Sequence, residues 1–217
     1  MRESVFKYLS PILLLSLAML VSLPSGTLAE VVLNELIAAP GTDWSGDGEI
    51  DWRDDEWVEI VNRGDSAVDL EDYWLSDEID DPPMRYRFSG TLGPQQALYV
   101  TGAEALAWQA DMGMGSGGLS LRNSGGWVAL FCDTGGEPEM VDSVQYEDYQ
   151  VVQDRALGRF PLDGADWILF DGMNLYHGSQ EPGSTGCMPS PGELNQCDVT
   201  PAQDEDWGRV KKLYGEK

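Results

Sequence analysis

The chain has 217 residues with 38 acidic against 13 basic side chains, a formal net charge of −25. Such a surface repels phosphate backbones, because protein affinity for nucleic acid comes from cations that displace counterions, so DNA and RNA are excluded as partners. The single histidine excludes a multi-histidine zinc site, and the charge favours calcium, basic proteins or cationic surfaces instead.

Residues 1–29 read as a signal peptide. Arg2 and Lys7 give a positive start, Ile12 to Val21 is an apolar run broken only by Ser16, and Pro24 and Gly26 lead to the small-residue site Thr27-Leu28-Ala29. The run is short for a bilayer-spanning helix, which needs about 20 residues, and nothing later in the chain is apolar enough to span a membrane. The expected location is therefore secreted, extracellular or periplasmic. Removing Arg2, Lys7 and Glu3 leaves 11 basic and 37 acidic residues, a net charge of −26.

The first predicted strand runs from Val31 to Ile37 and the second from Trp57 to Asn62. In the second, Trp57, Glu59 and Val61 share one face while Val58, Ile60 and Asn62 share the other. Both faces are largely apolar, which predicts a central strand. Between the two strands, Asp43 to Asp54 has the spacing of a twelve-residue calcium loop. Oxygen donors fall at positions 1, 3, 5, 9 and 12, with Gly48 at position 6 and the apolar Ile50 at position 8. Asp43, Ser45, Asp47, Asp51 and Asp54 would offer side chains and Glu49 its backbone carbonyl. Ser45 is a weak ligand and Asp54 is shorter than the usual bidentate glutamate, with Asp55 or Glu56 as substitutes. Ala39-Pro40-Gly41 precedes the loop, so its flanks are strands rather than paired helices. The competing reading is a solvated acidic turn.

Further strands are predicted over Val68–Leu75, Arg85–Phe88, Ala97–Thr101, Leu119–Leu121, Trp127–Cys132, Val141–Tyr146, Ala156–Phe160 and Trp167–Phe170, separated by glycine- and aspartate-rich turns. One short helix is expected over Ala103–Ala110, capped by Gly113. The class is all-β, a sandwich or barrel. Three cysteines in an exported chain predict one bridge and one spare thiol. Cys187 and Cys197 flank the Ser190-Pro191-Gly192 turn and are the favoured pair; Cys132 with Cys187 is the alternative. Asp198 to Asp206 reads as a polar linker. Trp207, Val210, Lys211 and Tyr214 then form the stripe of a short amphipathic tail. His177 lies in a turn-like segment with no partner motif for nucleophilic catalysis.

Several pieces, taken in order, resemble the lamin tail domain, an immunoglobulin-like β-sandwich. They are Asn34-Glu35, Trp57 to Asn62, Val68-Asp69-Leu70, Trp74-Leu75-Ser76-Asp77, Leu92-Gly93-Pro94 and Leu98-Tyr99-Val100. Gly118 to Leu121 with Asn123, Val128-Ala129-Leu130, Val141 to Val144 with Tyr146, Gly158-Arg159, Pro161, Asp163-Gly164, Trp167, Ser190-Pro191-Gly192 and Asn195 continue the series. The resemblance covers about residues 31–195. It divides the chain into the signal peptide, a lamin tail domain over 30–197, and the linker and tail over 198–217. It implies a non-enzymatic module of the secreted bacterial type that carries interaction surfaces. The chromatin contacts of nuclear lamins do not transfer, because export and negative charge both oppose them. The leading expectation is a secreted, non-catalytic, calcium-binding module whose partner is an unspecified protein or cell-surface ligand. The alternative is a metal-dependent hydrolase that uses the acidic loop.

Overall fold

The computed structural model describes residues 30–197; the expected signal peptide and the C-terminal linker and tail lie outside the described residues. Strand β1 (Val31–Ile37) pairs antiparallel with β2 (Trp57–Asn62), the central strand that the two apolar faces predict. Together with β7 (Ala97–Thr101), β10 (Ala156–Arg159) and β11 (Trp167–Phe170) they form a five-stranded sheet ordered β11-β10-β1-β2-β7. A second sheet, ordered β5-β4-β8-β9, contains Tyr86–Arg87, Tyr73–Ser76, Gly125–Cys132 and Glu139–Glu147 in that order. A two-residue ribbon joins β3 (Val68–Asp69) to β6 (Thr91–Leu92).

The sheets face each other across one apolar layer. Leu33, Leu36, Val58, Ile60 and Leu157 from the first sheet meet Leu75, Val128, Leu130, Val144 and Tyr146 from the second. Alternation along each strand sends these side chains to one face. All strand pairs are antiparallel, as expected of an immunoglobulin-like β-sandwich.

The β1–β2 register slips between Leu33 and Glu35, leaving Asn34 as an extra residue. This bulge lets Leu33 and Leu36, three positions apart, share the same core. It also turns Asn34 and Glu35 together toward the C-terminal segment, where Asn34 Nδ2 donates to Asn195 Oδ1 at 3.0 Å and Glu35 accepts from Ser190. That segment closes the outer face of the five-stranded sheet. Cys187 and Cys197 are bridged, with Cα atoms 5.3 Å apart, and pack with Ile37, Trp57, Ala156 and Phe170 in a second apolar cluster. Cys132 is unbridged and half-buried. The favoured pairing thus holds and the Cys132–Cys187 alternative does not.

Three expectations are corrected. The run Val68–Leu75 is two strands, because Tyr73 N–H turns back to the Leu70 carbonyl at 2.9 Å. Leu119–Leu121 is not a strand: the Ser120 and Leu121 N–H groups donate to the Glu56 carboxylate at 2.7 and 3.1 Å rather than to a ladder. Strand β6 is additional. The helix α1 spans Gly102–Asp111, and a capping box of Thr101 and Glu104 starts it. Gly102 admits no side chain, since a Cβ there would lie 1.7 Å from the Arg53 carbonyl oxygen.

Candidate functional site: the acidic loop between β1 and β2

Two fully buried carboxylates fix the loop from beneath. Asp55 Oδ1 accepts from the Ser45 N–H at 2.7 Å and its Oδ2 from the Asp51 N–H at 2.8 Å, tying the loop's two ends together. Burial would push this carboxyl up, but the hydrogen bonds from Ser45, Asp51 and Trp44 outweigh it and hold Asp55 below the usual carboxylate range. Glu56 reaches across to the 120–121 segment through the bonds already described, and burial pushes its pKa up to about 8. Neither residue is free to substitute for Asp54 as a ligand.

The half-buried Asp43 and the exposed Asp47 and Asp51 order the loop's own backbone. Asp43 accepts from the Gly46 N–H at 2.7 Å and the Gly48 N–H at 2.9 Å, and Ser45 Oγ lies 3.4 Å from its Oδ1. Gly46 and Gly48 take φ of 77° and 93°, a region open to glycine, which lets the turn wrap the Asp43 carboxylate. Asp47 Oδ1 accepts from the Glu49 N–H at 2.8 Å, and Asp51 Oδ1 from the Arg53 and Asp54 N–H groups at 2.8 and 3.3 Å. Ile50 and Trp52 project into solvent, 63% and 57% exposed. Among the described residues no three His, Cys, Asp or Glu side chains gather as a metal-holding group, so Asp43, Asp47, Asp51 and Asp54 are not drawn into one donor cluster. Their charges nonetheless act on one another. Desolvation, followed by repulsion from Asp51, Asp47 and Asp55, holds Asp54 above the usual carboxylate range, with Arg53 alone opposing.

A second carboxylate cluster lies beneath the bridged segment. Glu35 and Glu59 are directly paired across β1 and β2, both fully buried. Glu59 accepts from Asn34 Nδ2 at 2.6 Å and from the Gly192 N–H; Glu35 Oε2 accepts from the Ser190 N–H and Oγ at 3.2 and 3.1 Å. Glu35 Oε1 has no partner. Burial and the neighbouring Glu59 raise the Glu35 carboxyl well above its ordinary value, and burial pushes Glu59 up to about 7. These groups hold the C-terminal segment onto the sheet. His177 is exposed in the stretch between β11 and the bridged segment.

The sequence pattern of the lamin tail domain matches residues 24–148, more than half of the chain. The chain belongs to the lamin tail domain family. Comparison with curated proteins finds no match. The lamin tail match ends at Asp148, just after β9, while β10 and β11 complete the five-stranded sheet beyond it and the bridged segment packs on that sheet. The lamin tail fold is generally non-enzymatic.

Sequence reading identified the loop but passed over the cleft beside it, where Trp52 and Arg53 meet Arg122. The available signal was the placement of a Trp-Arg pair inside an otherwise acidic run. No helix among the described residues is long and apolar enough to cross a membrane.

Proposed function

We propose that this lamin tail domain is an exported, non-catalytic interaction module that displays its acidic loop for calcium and, through that surface, for a protein or cell-surface ligand. The observation that carries this reading is the division of labour among the loop's acids. Asp55 and Glu56 are buried with both carboxylate oxygens taken by backbone N–H groups. Asp47 and Asp51 are exposed, each uses one carboxylate oxygen for the backbone, and both repel Asp54. An all-oxygen donor set of Asp43, Ser45, Asp47, Asp51 and Asp54 with the Glu49 carbonyl suits a hard cation that accepts loose geometry. Because these donors do not converge, binding requires the loop to close, which costs affinity. The disulfide, with an N-terminal sequence that reads as an export signal, supports an oxidising, extracytoplasmic setting.

Thermal unfolding with calcium, magnesium or chelator tests the reading. Calcium at tenfold excess over Kd stabilises the folded state by about 1.4 kcal/mol, several degrees in Tm for a domain of this size. Magnesium, which demands tighter octahedral geometry, gives less, and Asp43→Asn with Asp47→Asn removes the difference. Equal melting in all three conditions contradicts calcium binding. Metal-dependent hydrolysis of phosphoesters, glycans or peptides that Asp47→Ala abolishes would establish the hydrolase alternative instead.

A further inference from the structure

The chain's arginines are few, and most of those described are engaged with acidic side chains or backbone carbonyls. Arg85 pairs with Asp77, Arg87 with Asp133 and Arg159 with Asp142, and Arg155 bonds backbone carbonyls. Two others, Arg53 and Arg122, line one cleft of about 420 Å³ beside the acidic loop with Trp52, Ser120, Asn123, Ser124 and the buried Glu56, whose carboxylate is taken up by the Ser120 and Leu121 N–H groups. That volume lies within the roughly 300–1,000 Å³ of small-molecule sites. Arg53 makes no ion pair among the described residues; its guanidinium lies 5.1 Å from the centre of the exposed Trp52 ring. The Arg122 side chain is 62% exposed and among the described residues its guanidinium pairs with the half-open Glu78 at 3.2 Å, a solvated contact that holds it weakly.

The cleft is built rather than incidental. Its floor is the 117–121 segment, whose N–H groups are held by buried side chains: Gly117 and Gly118 by Gln109 Oε1 at 2.8 and 3.0 Å, Ser120 and Leu121 by Glu56. The Arg122 N–H donates to the buried Tyr146 hydroxyl at 2.8 Å. Ser120 is held at φ 64°, a conformation that a non-glycine residue rarely adopts and that persists only where the surroundings enforce it. The Arg53 carbonyl is seated against Gly102, which fixes where its side chain starts.

We propose that this cleft binds a carboxylated sugar, such as a uronic acid unit of an acidic glycan. The planar, forked guanidinium groups of Arg53 and Arg122 match a carboxylate. Trp52, which lines the cleft and is 57% exposed, offers apolar ring surface for a sugar, and Ser120, Asn123 and Ser124 offer hydroxyl and amide groups for its hydroxyls. A polyphosphate is disfavoured, since the acidic surface repels its denser charge, whereas a uronic acid carries one carboxylate per sugar ring for the two local cations. This site goes beyond the calcium reading and does not depend on it.

Titration of digalacturonic acid into the full chain, in chelator, followed by calorimetry, tests the proposal. Saturable one-to-one binding is expected. Arg53→Ala and Arg122→Ala should each weaken it roughly 10- to 100-fold, the loss of one set of charge-assisted hydrogen bonds. Trp52→Ala should weaken it as well, and the methyl ester of the same disaccharide should not bind. The three side chains are exposed or half-exposed, so the variants retain the wild-type fold; unfolding curves check this, and Arg122→Ala, the most exposed site, serves if Arg53→Ala misfolds. Absence of binding, equal binding of the methyl ester, or full competition by equimolar inorganic phosphate would each overturn the assignment. Because chelator is present throughout, failure here leaves the calcium reading untouched, and success does not support it.

Discussion

Raising the pH from 5 to 8 is expected to weaken the fold through the carboxyl pair beneath the bridged segment. Glu59 is buried and its pKa is pushed up from 4.5 to about 7. A carboxyl raised in the fold keeps its proton there after the unfolded chain has lost it. Its stabilising effect is therefore complete below about pH 4.5 and is lost as the pH climbs through about 7. Integrating that difference between pH 5 and 8 gives a loss of about 2–3 kcal/mol from Glu59 alone, or about 5–10 °C in Tm. Glu56, raised to about 8, acts in the same direction, and so does Glu35. The acids held below their usual range, Asp55, Asp133 and Asp171, change protonation below pH 4 and do not enter this window. Overall charge repulsion also changes little there, since the chain has one histidine. Urea unfolding at pH 5, 6, 7 and 8 measures the effect. Glu35→Gln keeps an acceptor for Ser190 and removes a carboxyl that burial and Glu59 themselves raise, so its profile should be shallower. A midpoint that stays flat or rises between pH 5 and 8 would refute the reasoning.

Reduction of Cys187–Cys197 opens a short loop and should cost about 2–3 kcal/mol in the chain-entropy account, read as a lower urea midpoint. Non-reducing peptide mapping should recover these two cysteines together and Cys132 alone. Gly158→Ala would bring a Cβ to 2.6 Å from Phe170 and 2.8 Å from Asn195 Nδ2, so the bridged segment must lift; a loss of about 1–3 kcal/mol is expected in urea unfolding. Ile60→Ala, in the middle of the central strand and fully buried, should cost about 2–5 kcal/mol by the same measurement.

Where the chain buries both faces or alternates cleanly, its sequence announced its structure. The β2 pattern from Trp57 to Asn62 predicted a central strand because two apolar sets alternate, and each set has a layer to fill. Leu119-Ser120-Leu121 shows the same alternation over a shorter stretch, yet it is a pinned turn. What decides it is a carboxylate sixty-four residues away in sequence, which no local pattern records. The bulge at Asn34 left a trace in the three-residue spacing of Leu33 and Leu36, but its consequence, two polar side chains aimed at Ser190 and Asn195, depends on where the C-terminal segment returns. In the acidic loop the spacing of oxygen donors was legible. Which acids face inward was not, because Asp55 and Glu56 are buried by segments distant in sequence, such as 120–121 over Glu56, that no local spacing records.

Calorimetric titration of calcium into the chain tests the central claim, that the loop is a cation site on a non-catalytic scaffold. A donor set with a serine at position 3 and an aspartate at position 12 predicts a single site in the weak extracellular range, with Kd on the order of 10⁻⁴ to 10⁻³ M. Asp43→Asn with Asp47→Asn should abolish the signal and leave the wild-type fold in place. Absence of saturable heat at millimolar calcium, or a signal that survives the double substitution, would contradict it.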